Sequence, residues 1–316
     1  MSSEKVPLVD VLIVGGGYAG LAAASTLYRA THSSIVFDSG VFRDAKGASI
    51  RLLPGWEGVD SSDYRAAARE ELTKTGLCSV VYAGVSEIQG TDGMWTAIAT
   101  DGEQYSGRKI ILATGSDEIY PSIPGYGDCW VTGIFPCMYQ FGYEQRGSSS
   151  AGILVVDKLA GLLPQVLKLA GDTHKFARSV VLYTNGNRAA AEELEALVQK
   201  ANLPFVVEGE RIARLVKLPT DAAVEVELED GSRRTEGFLV HQPWTKLRGS
   251  LPIQLGLETT PMGDIKVQHP FPLTSVPGVY AAGDCASPFK NASMAIASGV
   301  CAGNGVAREL PSSFAK

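Results

Sequence analysis

The chain has 316 residues, 45% of them hydrophobic and 20% charged, with 28 Lys and Arg against 34 Asp and Glu for a net charge of -6. That length and apolar content suffice for two packed cores. The mild acidity is spread without runs, which argues against a nucleic-acid or anionic-membrane surface. Five scattered cysteines, Cys78, Cys129, Cys137, Cys285 and Cys301, match neither a secreted disulfide framework nor the ligand spacing of a zinc site. No stretch is apolar enough to span a bilayer, and Met1 to Leu8 offers neither an apolar run nor a cleavage site of signal-peptide type. A cytoplasmic protein that handles small molecules, with no metal, is the expectation.

The β-branched run Leu8 to Val14 reads as a strand, Ala19 to Arg29 as an Ala-rich helix and Ser34 to Phe37 as a second strand. The connection between strand and helix spells G-x-G-x-x-G over Gly15, Gly17 and Gly20, with Asp38 ending the next strand. Each part has a mechanical reason in dinucleotide binding: Gly15 for the tight turn, Gly17 for close approach of backbone to pyrophosphate, Gly20 for helix packing, Asp38 for ribose hydroxyls. Lys109 to Thr114 is a further buried-strand run stopped by Gly115, and Gly278 to Ala282 precedes Gly283-Asp284 and a small-residue helix from Ala292 to Leu310. Between them runs a second βαβ rhythm: Gly152 to Val156 strand, Leu159 to Leu169 helix, Ser179 to Thr184 strand, Ala189 to Lys200 helix, then Pro204 to Glu208 and Ala223 to Glu229 as strands before the turn Asp230-Gly231. The expected fold is α/β with two Rossmann-like three-layer domains. The first is discontinuous, residues 1-117 and 246-316, with an inserted NAD(P)-like domain at 118-245.

Val279-Tyr280-Ala281-Ala282-Gly283-Asp284 resembles the second FAD fingerprint of two-dinucleotide flavoproteins, and Ile111-Leu112-Ala113-Thr114-Gly115 resembles their ATG motif. Together with the glycine turn, these resemble pyridine-nucleotide-disulfide oxidoreductases of the thioredoxin-reductase type over essentially the whole chain. Ala282 to Pro288, Tyr183 to Gly186 and Phe238 to His241 look like the fungal dithiol oxidases that close disulfides in epipolythiodioxopiperazines such as gliotoxin. The resemblance implies FAD as cofactor and a homodimer. It implies that Asp284 bonds the ribityl chain or phosphate and that the helix start at Asn291 to Ala295 points at the flavin, where its dipole favours the reduced form. The expected cofactor contacts are therefore Gly15, Gly17, Tyr18, Ala19, Gly20, Asp38, Ser39, Arg43, Thr114, Gly115, Gly283, Asp284, Ala292, Ser293, Met294 and Ala295.

Two departures from that family shape the functional reading. Its enzymes carry C-x-x-C after a Gly-(Ile/Val)-Phe stretch, where this chain has Gly133-Ile134-Phe135-Pro136-Cys137-Met138-Tyr139-Gln140. The flavin-proximal thiol is Gln140, so no local redox disulfide can form. Cys137 remains as either a mixed-disulfide thiol or a remnant of ancestry, and Gln140 as either a substrate- or flavin-bonding amide or a helix-start residue. The inserted domain has Val155-Val156-Asp157-Lys158-Leu159-Ala160-Gly161 where a second glycine turn belongs, and a carboxylate repels pyrophosphate. Tyr183 to Arg188 holds one Arg where a basic cluster for a 2′-phosphate would lie.

His241, at a strand end, reads either as an acid-base group or as a structural crossover residue. Tyr139, Tyr143 and Glu144 flank Gln140 as substrate-side candidates, and Arg43, Arg51 and Trp56 lie in a loop that could cover the flavin. The expected activity is an FAD-dependent oxidase that dehydrogenates a small natural-product intermediate by desaturation or imine formation, with molecular oxygen as acceptor. An NADPH-linked flavin reductase or monooxygenase, or a catalytically silent flavoprotein, stand as alternatives.

Overall fold

In the computed structural model, Val9–Val14 forms strand β1, buried from Val11 onward. The structure describes residues 8–46 and 49–311. The expectation of no signal peptide over Met1 to Leu8 falls, up to Pro7, outside the described residues. Helix α1 follows at Tyr18–Arg29, strand β2 at Ser34–Phe37, helix α2 at Ser61–Thr73 and strand β3 at Cys78–Val81. Strands β4 (Val85–Thr91), β5 (Met94–Ala99) and β6 (Gln104–Leu112) complete a sheet of order β3-β2-β1-β6-β5-β4. The first four are parallel, and β4, β5 and β6 run antiparallel as a meander.

The length of β6 explains the junction. Gln104 to Gly107 pair with β5, while Ile110 to Leu112 pair in parallel with Val279–Ala281. Because side chains alternate across a strand, Val11 and Ile13 pack with Leu21, Leu27, Ala302 and Val306 on the helical side. Leu12 and Val14 pack instead with Trp95, Ala97, Leu251 and Ile265. Both faces of β1 are thus covered, which is why its sequence shows no polar alternation after Asp10.

The backbone divides into two units, Met1–Asp117 with Thr245–Lys316, and Glu118–Trp244. In the second, five parallel strands stand in the order Phe205–Glu208, Val180–Tyr183, Ala151–Leu154, Leu239–Val240, Ile134–Phe135. Ile153, Val155 and Leu182 pack against Val166 and Leu194 of helices Leu163–His174 and Arg188–Lys200. Leu154, Val181 and Tyr183 on the other face meet Ile212, Val224 and Val226. Those last residues belong to an antiparallel sheet, Ile212–Lys217, Val224–Leu228 and Arg233–Glu236, whose tight turn places Gly231 at φ 88°.

One expected element is corrected. The helix read over Leu159 to Leu169 is a 3-10 turn at Asp157–Gly161 followed by a helix that begins only at Leu163. Pro164 decides this: lacking an amide hydrogen, proline is accommodated in a first turn and excluded from a helix interior. Among the described residues no helix is long and apolar enough to cross a membrane. No group of three or more His, Cys, Asp or Glu among them is placed to hold a metal.

Candidate active site

The glycine turn is built for close approach. Gly15 has φ 124°, and a Cβ there would fall 2.1 Å from the Ala113 carbonyl oxygen. A Cβ on Gly20 would meet the Gly15 carbonyl oxygen at 1.9 Å, so α1 can seat on the turn only without a side chain there. At Gly17 the same test finds open space. Gly17 is also the N-cap of α1 and brings no capping side chain, whereas α2 and the helix Ala292–Glu309 are capped by Asp60 and Asn291. A helix start without a capping side chain, beside open space at Gly17, fits a dinucleotide pyrophosphate. Ala19 is buried at the contact with Gly283, where a Cβ would lie 2.8 Å from its methyl.

Asp38 is buried at the end of β2, its carboxylate accepting from Gly40 N at 2.9 Å and from Arg69 at 3.0 Å. Arg69 was not foreseen, because it lies on α2, which the sequence reading did not recognise. Ser39 follows with its hydroxyl accepting from Val41 N at 3.4 Å. Thr114 and Gly115 continue from β6, Gly115 at φ 74°. Cys285, fully buried, donates its thiol hydrogen toward the carbonyls of Leu112 and Ala282, and burial raises its pKa.

Around the second fingerprint, Gly283 adopts φ 76° and Asp284 accepts from Arg43 Nε at 2.6 Å. Arg43 also donates to the Lys290 carbonyl at 2.8 Å. Lys290 in turn bonds Asp264 at 2.8 Å and the Asp284 carbonyl at 2.7 Å. The helix opening Ala292-Ser293-Met294-Ala295 has the Met294 amide taken by Asn291 Oδ1 at 2.9 Å, while the Ser293 hydroxyl donates to the Leu52 carbonyl. All sixteen expected cofactor positions thus lie in the first unit, after the ends of β1, β2, β6 and Val279–Ala281, in the loop after β2 and at two helix starts.

In the second unit, Cys137 is a free thiol, half-buried, at the N-cap of a single helical turn Met138–Phe141. Gln140 is half-buried on that turn, its backbone N–H donating to the Cys137 carbonyl at 3.3 Å. Phe141 stacks on Phe135 at 5.0 Å and anchors the turn. Tyr139 is 72% exposed and Tyr143 66%, the latter covered by the Arg146 guanidinium at 3.3 Å.

His241 has no exposed surface. Its Nδ1 lies 2.8 Å from the Tyr126 hydroxyl, and its Nε2, without a hydrogen bond, lies 3.9 Å from Asp157 Oδ2. Burial lowers its pKa from 6.5 to about 4, against a favourable contribution from the Val156 backbone and with Lys158 adding to the depression. Near neutral pH the imidazole is therefore held neutral, with its one hydrogen bond made to Tyr126. Tyr126, stacked on Trp130 at 5.8 Å, was missed because its helical turn, Tyr126–Cys129, is too short to leave a periodic pattern.

Asp157 holds φ 50°, a left-handed conformation that side-chain-bearing residues adopt at a cost. Burial raises its carboxyl pKa. The two units can be compared at this position. In the first, residues 15–17, all glycine, separate strand from helix. In the second, residues 155–162 separate Ala151–Leu154 from Leu163–His174.

The pyridine nucleotide-disulphide oxidoreductase family matches residues 9–299. A thioredoxin reductase of Leptosphaeria maculans, sirT, is 37% identical over 95% of this chain and 93% of its own. A thioredoxin reductase of Aspergillus oryzae, aclD, is 38% identical over 96% and 97%. Among solved structures, an oxidoreductase from Agrobacterium tumefaciens superposes with a TM-score of 0.85 at 26% identity, covering 96% of this chain and 98% of that one.

Proposed function

From the chain's membership of the pyridine nucleotide-disulphide oxidoreductase family, as an FAD-dependent oxidoreductase of the thioredoxin-reductase type, we propose that it is an oxidase of a small natural-product intermediate. In this reading the substrate loses two electrons and two protons in a desaturation or imine formation, and molecular oxygen is reduced to hydrogen peroxide. FAD, when bound, supplies the two-electron acceptor. A cytoplasmic homodimer is part of the same proposal.

The observation that carries this reading is the connection 155–162. A pyrophosphate needs a short glycine turn opening directly into a helix, and this connection instead inserts a 3-10 turn headed by the Asp157 carboxylate. Nicotinamide dinucleotides are thereby disfavoured as the electron source. The replacement of a second thiol by Gln140 supports the same conclusion for dithiols. The remaining donor is the substrate itself.

The chain's own groups have defined tasks in the proposal. Gly15, Gly17, Gly20 and Asp38 hold the dinucleotide. Gln140 bonds the substrate through its amide, Tyr139 offers an exposed ring for stacking, and Cys137 stays reduced. His241 stays neutral and holds Tyr126.

A second reading is a pyridine-nucleotide-driven reductase, favoured by the names of the relatives, which are thioredoxin reductases. Anaerobic titration of the purified protein separates the two. The oxidase reading expects flavin absorbance to bleach with a pathway intermediate and to remain with NADPH or NADH. Stoichiometric bleaching by NADPH alone would refute it.

A further inference from the structure

The segment Val41 to Lys46, between β2 and α2, has no helix or strand, yet three consecutive residues in it each make a defined tertiary contact. Phe42 lies against the Arg65 guanidinium at 3.8 Å. Arg43 reaches Asp284 at 2.6 Å and the Lys290 carbonyl at 2.8 Å. Asp44 accepts from Arg65 Nη1 at 3.1 Å and 3.3 Å through its two oxygens, and from the Tyr18 hydroxyl at 3.1 Å.

These contacts tie the segment to both ends of the dinucleotide site. Tyr18 is the first residue of α1, directly after Gly17. Asp284 belongs to the second fingerprint, 241 positions from Arg43. Arg65, on α2, is only 5% exposed, and its charge is met by Asp44 on one side and the Phe42 ring on the other. Holding an irregular segment in one conformation costs backbone entropy, and the Asp44 bonds offset that cost beside Arg43. Without them, Arg43 would be free to leave Asp284, exposing an uncompensated carboxylate to an anionic cofactor.

We propose that Asp44 is a positioning residue for cofactor retention: bridging Tyr18 and Arg65, it fixes Arg43 against Asp284 and so slows the release of FAD. The proposal rests on the FAD assignment and not on the oxidase reading, because FAD release is measured with no substrate present.

The test is the rate at which FAD fluorescence recovers on dilution of the holoprotein, in wild type, Asp44→Asn, Arg43→Gln and the double variant. Release should be about tenfold faster in D44N, the effect of weakening hydrogen bonds to a charged group. Because Asp44 acts through Arg43, the double variant should release FAD no faster than R43Q alone, and the excess in each should fall with added salt. An unchanged off-rate in D44N, or effects of D44N and R43Q that multiply, overturns the proposal. Should D44N fail to fold, Arg65→Lys, at a residue outside the expected cofactor contacts, weakens the bonds to Asp44 and decides the matter: faster release supports the proposal, and wild-type release refutes it.

Discussion

At the scale of single residues, the buried ionisable groups govern how the protein responds to pH. His241 has a folded pKa of about 4 against an ordinary 6.5, so the unfolded chain takes up a proton in that interval and the folded one does not. Its contribution to stability is complete above pH 6.5 and is lost as pH falls towards 4, on the order of 3 kcal/mol over the window. Urea unfolding between pH 7 and 4 should therefore show a steep acid-side loss that His241→Asn flattens. Arg69 gives a second residue-level expectation. Its removal leaves the Asp38 carboxylate, 4% exposed, without its charge partner, so Arg69→Met should destabilise the protein by about 3 kcal/mol and weaken FAD binding, read by calorimetry and by fluorescence titration. Asp38 was legible as the acid after the second strand, but its partner was not, since nothing local in Arg69 marks which carboxylate it will meet.

At the scale of elements, the close pairing of α1 with the helix Ala292–Glu309 sets the position of the glycine turn. A Cβ on Gly299 would lie 2.1 Å from the Ala19 carbonyl oxygen, and one on Gly303 would lie 2.9 Å from that of Ala23. Gly299→Ala must push the two helices apart, costing roughly 1–3 kcal/mol, and because Ala19 lies in the turn's own helix start, FAD affinity should fall with stability. Gly171→Ala, at an exposed helix position with nothing within 4 Å of its Cβ, should stabilise slightly, and thermal unfolding of the pair checks both signs. The strand-helix-strand start was readable because β1, α1 and β2 carry strong apolar patterns. Strands β4 and β5, the first half of β6 and the helix α2 were not read, because strands such as Val85–Thr91 keep mostly exposed residues and α2 buries only Ser61, Arg65 and Leu72.

At the scale of the whole molecule, each unit has its own buried clusters: two in Met1–Asp117 with Thr245–Lys316, and two in Glu118–Trp244. Residues 118–244 expressed alone should therefore fold cooperatively. Given the connection 155–162, they should show no NADPH binding by isothermal titration. Within the first unit, Lys109, 6% exposed, joins β6 to the C-terminal helix through Glu309 at 2.5 Å and to the turn between β4 and β5 through Asp92 at 2.9 Å. Burial opposes its charge, but the bonds from Glu309 and Asp92 outweigh that and raise its pKa. This tie is present below the ordinary lysine value and is lost only as pH rises through the raised one.

The residue pattern alone determined the class of fold, the glycine turn and the acid after the second strand, because each depends on chain neighbours and on periodicities of two and 3.6, while the second fingerprint was legible through its resemblance to a known family. It also displayed the absence of a thiol pair at Cys137 and Gln140. The tertiary structure decided the rest: Arg69 on Asp38, Arg43 on Asp284, the Asp44 bridge and the burial of His241 against Tyr126. Each of these joins residues far apart in the chain, and charge pairing or burial at such separations is set by how the layers pack, which local sequence does not encode.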